Sequence, residues 1–398
     1  MFAFLMPSRS AKAPAAVTPN AVPAAAGPAY LQFLTVFKGL AAQLIVLHHL
    51  AFYGPMSDYV RPSAPLLIGW LDAYARFAVQ VFLVIAGFLA ARSFSGDGMA
   101  PETADLRARI ARRYLMLAPP FMAAILLTVG ASAWARGWMS HESISAAPTL
   151  AQLAAHALML QGVLGYESLS AGAWYIAIDF QLYALFALLA WTSSHVGRNW
   201  QAARPWLLPA SVSLVVCSSL FWFNRDGRFD VIALYFFGSY GLGALACWAS
   251  AAGAAPGGRQ RLLALALLAP AAAALALDFR SRIAVALLTA AFIAWAAQRS
   301  FIRDRAAPAL LLWLGRISYS VFLVHFGVCL VINAGFTRFA PATAGWQGTG
   351  MLVAWVASVL AGACFYRLVE APLARLIAPA RLASVARAGS GTKTLPLN

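Results

Sequence analysis

Lys38 and His49 stand eleven positions apart in one apolar stretch. Eleven positions at 3.6 residues per turn make almost three whole turns, so the two side chains share a helix face. The rise between them is about 16 Å; with Lys38 near a membrane surface, His49 lies about half-way down the hydrocarbon. An ionisable group at that depth is expensive to keep and marks a functional site by default. A histidine can serve as general base near neutral pH, taking a proton from an acceptor hydroxyl while that oxygen attacks an ester or thioester. The plainer alternative is a histidine hydrogen-bonded between helices. His48 lies about 100° round the helix and does not share the Lys38 face.

Asp179 is the second candidate, in the run from Trp174 to Tyr183. A carboxylate inside a membrane needs a partner. It could orient His49 and stabilise its imidazolium, as a carboxylate does in a catalytic triad; the structural alternative is an ion pair with Arg76 or Arg316. Tyr183, at i+4, shares the Asp179 face, and Gln181 lies on another. Arg107, Arg109, Arg112 and Arg113 lead into the third predicted helix. Guanidinium groups grip phosphate bidentately, so the cluster suits a polyanionic ligand, or else it anchors topology. Ser318, Tyr319 and His325 are polar insertions in an apolar helix, where such residues commonly join helices. Pro372 is expected to stop the last helix, with Glu370 paired to Arg367 or Arg375.

Membrane helices must position these groups. Of 398 residues, 62% are hydrophobic and 11% charged, and the mean hydropathy is +0.74. Soluble domains average about 45–50% apolar and about 25% charged, so a soluble fold is excluded. The net charge of +16 needs no nucleic acid, because Arg and Lys gather in cytoplasmic loops. Cys217, Cys247, Cys329 and Cys364 are scattered in apolar runs, without metal or disulfide spacing. Neither a Gly-rich phosphate loop nor a Gly-x-Ser-x-Gly elbow occurs, and no cofactor is expected to be bound.

The fold class is therefore all-α, a polytopic bundle of about ten spanning helices. Apolar runs place them at about 31–53, 74–92, 113–134, 173–192, 206–223, 230–250, 261–277, 282–298, 309–333 and 348–369. The segment 150–165 is apolar but short, which suits a re-entrant or interfacial piece. Residues 1–29, rich in Ala, Pro and Ser, are expected to form a disordered cytoplasmic tail. Residues 30–375 form the membrane domain and 376–398 a second cytoplasmic tail. The segments on the amino-terminal side hold more than twice the Arg and Lys of the other side, which places both termini in the cytoplasm.

Six motifs in order then resemble one family. Lys38-Gly39-Leu40-Ala41-Ala42 with His49 is similar to the basic residue, ten residues and His of the acyltransferase-3 family of membrane O-acyltransferases. Phe82 to Leu89, Arg112-Arg113 through Pro119-Pro120-Phe121, Trp174 to Tyr183, Leu314 to His325, and Tyr366 to Pro372 are similar to its further motifs. Lys38 stands for the usual Arg, Asp179 for Glu, Gln80 for Asp, Ala86 for Ser and Met116 for Arg. The resemblance implies a multi-pass enzyme of the inner (cytoplasmic) membrane. It would move an acyl group, acetyl in the first instance, from a cytoplasmic acyl-CoA donor to a hydroxyl of an envelope glycan, exopolysaccharide or lipid-linked sugar. His49, Asp179 and Lys38 would be catalytic. Arg112 and Arg113 would hold the donor, and Trp174, Gln181, Tyr183, Tyr319 and His325 would line or support the cavity. Membrane lipids and polysaccharide-synthesis machinery are the expected partners. A non-enzymatic glycan or lipid transporter is the main alternative, and an inactive scaffold in an export complex a third.

Overall fold

The computed structural model describes residues 28–101, 105–251, 257–299 and 306–377. Both expected tails fall almost wholly outside these residues. The apolar runs become helices, and no strand occurs among the described residues. The helices are α1 (Pro28–Phe52), α2 (Met56–Val60), α3 (Pro65–Ala73), α4 (Ala78–Phe94), α5 (Leu106–Ala135) and α6 (Leu150–Ala157). Then come α7 (Ala173–Asn199), α8 (Arg204–Phe221), α9 (Ala233–Ala249), α10 (Gly258–Leu277) and α11 (Ser281–Ala297). The chain closes with α12 (Ala309–Arg316), α13 (Ser318–Phe339), α14 (Ala344–Phe365) and α15 (Ala371–Ile377).

Among the described residues, eight helical stretches are long and apolar enough to cross a membrane. Helices α9 and α11 are apolar but 17 residues each, at the lower limit of about 17 residues for a span. The set agrees with about ten. The 150–165 segment does not span, because α6 has 8 residues and turns follow it. Pro65–Phe94 is longer than the expected 74–92 span, since α3 and a 3-10 turn at Ala75–Phe77 run into α4.

Lipid supplies no hydrophobic drive between helices, so close packing and polar contacts must hold them. Helices α4 and α9 touch through glycine: a methyl group at Gly87 would strike the Tyr240 carbonyl, and one at Gly243 the Val84 carbonyl. Beside that crossing the Ser239 hydroxyl donates to Gln80 Oε1 at 2.6 Å. Gly39 of α1 and Gly315 of α12 meet in the same way. The buried cysteines Cys247 and Cys329 pack as small core residues, and no disulfide forms among the described residues.

Two expectations about helix ends are corrected. The 309–333 span is two helices, broken at Ile317 (φ −89°, ψ 1°), just where Gly315 presses on α1. Pro372 does not stop the last helix. A π-turn at Tyr366–Glu370 widens the helix and α15 continues to Ile377. A proline in a regular helix removes a hydrogen bond and clashes with the carbonyl four residues back; the wider turn relieves that clash.

Candidate active site

Lys38 and His49 both lie on α1, as spacing predicts, and they belong to different polar clusters. His49 is nearly buried, and its Nδ1 lies 2.6 Å from His325 Nε2. The two rings lie edge to edge in nearly one plane, with centroids 4.9 Å apart and planes within 3°. His325, itself fully buried, donates from Nδ1 to the Phe322 carbonyl at 2.8 Å. A carbonyl only accepts, so this bond assigns the proton of neutral His325 to Nδ1 and leaves Nε2 as acceptor. His49 must then donate from Nδ1, and its own Nε2 is the bare nitrogen. The network thus sets the tautomer that a general base requires.

His49 lines a cavity of about 530 Å³. His48, Arg76, Trp174 and Phe322 form part of its wall, and the chain around Glu142–Ala146 and Glu167–Ala171 covers it. His48 serves the scaffold as well: its Nδ1 donates to the Leu71 carbonyl at 3.1 Å and ties α3 to α1. Tyr53 packs on the His49 ring, with centroids 5.4 Å apart, and Phe326 packs on Tyr53 at 5.1 Å.

The second cluster sits towards the end of the bundle where α5 begins. Helix α5 starts at Leu106, seven residues earlier than its apolar run suggests, with Asp105 capping it by accepting from the Ala108 N–H. Arg113 is therefore about 10 Å along the helix rather than at its mouth. It enters the bundle and forms an ion pair with Asp179, which is nearly buried. This corrects two expectations for Asp179: it pairs with neither Arg76 nor Arg316, and it does not orient His49. His325 occupies that orienting position. The Arg113 guanidinium also lies over the Tyr183 ring at 5.3 Å, on the face that Asp179 and Tyr183 share. Arg112 remains exposed.

Lys38 faces the charges of Glu370 and Arg113. Glu370 accepts from the Ser320 hydroxyl at 2.5 Å, so its expected pairing with Arg367 or Arg375 is corrected. The π-turn and the break before α13 bring these two groups together. The Tyr319 hydroxyl donates to the Leu117 carbonyl at 3.2 Å, which places it in this cluster and not in the histidine cavity. Gln181 lies apart from both clusters, with its amide donating to the Met159 carbonyl at 3.3 Å.

Three helices therefore carry both clusters. Helix α1 supplies Lys38 and His49, α7 supplies Asp179 and Trp174, and α13 supplies Tyr319, Ser320 and His325. Sequence reasoning did not give Arg76, Glu142 or Glu167 a place at the cavity. The last two lie in loops without periodicity, and their only signal is rarity, as acids in a chain with 13 Asp and Glu. Among the described residues no group of His, Cys, Asp or Glu has the arrangement to hold a metal ion.

Comparison with known proteins completes this picture. The family model described as an acyltransferase domain matches residues 31–367. A stretch of 163 residues is 26% identical to the Regulator of hypoxia-inducible factor 1 of Caenorhabditis elegans, covering 38% of this chain and 32% of that protein. The chain thus spans about a third of that relative's length. No solved structure matches. The cavity and both helix clusters, Glu370 excepted, fall within the matched family region, and the chain belongs to the acyltransferase-3 family of membrane acyltransferases.

Proposed function

We propose that this membrane acyltransferase moves an acyl group, acetyl in the simplest case, from acyl-CoA to a hydroxyl of an envelope glycan or lipid-linked sugar. The observation that carries this reading is the His49–His325–Phe322 carbonyl relay at the cavity wall. His49 Nε2 takes the hydroxyl proton as the acceptor oxygen attacks the thioester carbonyl. The new C–O bond replaces the C–S bond, and the departing thiolate takes the proton back from the imidazolium. His325 holds the ring and shares the developing positive charge through its Nε2 acceptor.

The arginine bias supports an inner-membrane orientation with the α5 start facing the cytoplasm and the His49 cavity facing the other side. In that orientation exposed Arg112 meets the donor phosphates. In this proposal Arg113, paired with Asp179, and Lys38, which feels the charge of Glu370, mark the inner end of the donor's path. The donor's flexible arm then has to cover the rise of about 16 Å from Lys38 to His49. A setting within polysaccharide-synthesis machinery suits such an acceptor.

The test is the O-acyl content of envelope glycans in a deletion strain complemented with wild type or with His49→Ala at matched protein level. Restoration by wild type alone supports the reading. Equal restoration by both removes His49 from the chemistry, and no restoration by either removes the glycan acceptor.

A further inference from the structure

A second cavity of about 500 Å³ lies beside the first, with Trp174, Glu167 and Ser168 in the walls of both. Its far side is formed by Val231 and Phe236, at the start of α9. Gln161 lines it and is fully buried; its amide donates to the Ala173 carbonyl at 3.1 Å, while Oε1 has no partner among the described residues. A buried acceptor left without a donor is costly, so a group on that wall that stays empty calls for a ligand hydroxyl or amide. Gln181 presents a second amide from α7, with its Nε2 engaged by the Met159 carbonyl. Glu167 and Asp230 add two carboxylates, both exposed at the rim.

The approach to Gln161 is built into the backbone. Met159 is in the left-handed region (φ 56°), a conformation that costs energy in a residue with a side chain, and it is completely buried. The turn it makes sends Gln161 inward, and the Gln161 carbonyl accepts from the Tyr166 N–H at 2.8 Å. The Trp174 ring packs near Phe236, with centroids 5.5 Å apart, so an aromatic face stands between the cavities.

Amide and carboxylate acceptors around an aromatic face suit a pyranose ring, which offers hydroxyls at its edge and C–H groups on its faces. An acyl chain would leave Gln161 Oε1 unpaired, and a phosphate would meet Glu167 and Asp230 with repulsion. We propose that the second cavity is an acceptor subsite that binds a neutral hexose unit of the glycan next to the one acylated at His49. This deepens the function proposed above and rests on its hydroxylated acceptor.

The experiment uses the full chain in lipid nanodiscs and a panel of soluble methyl hexosides as probes, with saturation-transfer NMR as readout. Wild type and His49→Ala are expected to bind at least one probe alike, because the subsite does not include His49. Gln161→Leu is expected to weaken that binding about tenfold, through loss of an acceptor. Val231→Trp, which fills the cavity from its exposed wall and leaves Gln161 in the sequence, is expected to abolish it. Failure of every hexoside to bind wild type overturns the inference, as does unchanged binding in Val231→Trp. Hexoside binding with no acyl transfer by wild type sinks the transfer reaction and leaves the subsite standing.

Discussion

The two polar clusters on α1, α7 and α13 are made of similar residues and are finished differently. In the cluster near the start of α5, charges answer charges: Arg113 pairs with Asp179, and Lys38 feels the charge of Glu370, which Ser320 also holds. At the other end the histidines pair with each other, and the ring nitrogen that remains looks into a cavity of about 530 Å³. Charges in a membrane interior must be compensated or removed. A neutral imidazole escapes that demand, so a ring nitrogen can stay unpaired at the histidine end. In the function proposed above, the ion-paired end holds the helices in register and the histidine end does the chemistry.

That contrast breaks most sharply at His49. His49→Gln is expected to lower the acyl-transfer rate by about 10²–10⁴-fold with little change in thermal stability, measured on purified protein with acyl-CoA and a hydroxylated acceptor. The opposite pattern is expected at Asp179. Asp179→Asn leaves Arg113 without its countercharge in a largely apolar setting, at a cost of about 3 kcal/mol in stability. The double variant Arg113→Met with Asp179→Leu should recover most of the lost melting temperature. Were the double variant as unstable as the single one, the pair would hold the helices by more than mutual compensation.

His325 sharpens the contrast further. His325→Phe keeps an aromatic ring but removes the acceptor for His49 Nδ1. The rate is expected to fall about 10–100-fold while the acyl-CoA KM stays within about twofold, the pattern of a residue that positions a base. A KM that rises with no change in kcat would assign His325 to donor binding instead.

The smallest expected effect lies outside the spanning helices, at His156 of α6. Its Nδ1 donates to the Gln152 carbonyl at 2.8 Å and its Nε2 accepts from the Leu169 N–H at 3.1 Å. Burial holds its pKa below the usual histidine value. The neutral ring is therefore the folded form: its stabilisation is complete above the unfolded value of about 6.5 and declines as pH falls below it. Hydrogen exchange at the Leu169 amide should rise as pH is lowered through that window, after correction for intrinsic rates, and in His156→Phe the extra acid sensitivity should vanish.

Much of this was legible before any coordinates. Apolar runs of about 20 residues locate the helices because lipid permits no other lining. The eleven-residue spacing puts Lys38 and His49 on one side of α1 because a helix repeats so regularly. What sequence could not show was pairing across distance. His49 and His325 are 276 positions apart, and nothing local marks them as partners. The Asp179–Arg113 pair is hidden because the apolar run begins only at Arg113, which leaves that arginine at the mouth of the helix and Asp179 without it as a partner. The true start is at Leu106, set by the Asp105 cap. The break at Ile317 is likewise tertiary, since Gly315 presses there on α1, and with the π-turn that accommodates Pro372 it delivers Ser320 to Glu370.

The most direct test of the central claim is the pre-steady-state rate of thiol release from acyl-CoA by wild type and His49→Gln, in proteoliposomes with a saturating hydroxylated acceptor. The account predicts a fast acceptor-dependent release in wild type and its loss by about 10²-fold or more in the variant, with donor binding intact. Equal rates in the two proteins would contradict it and place the base elsewhere.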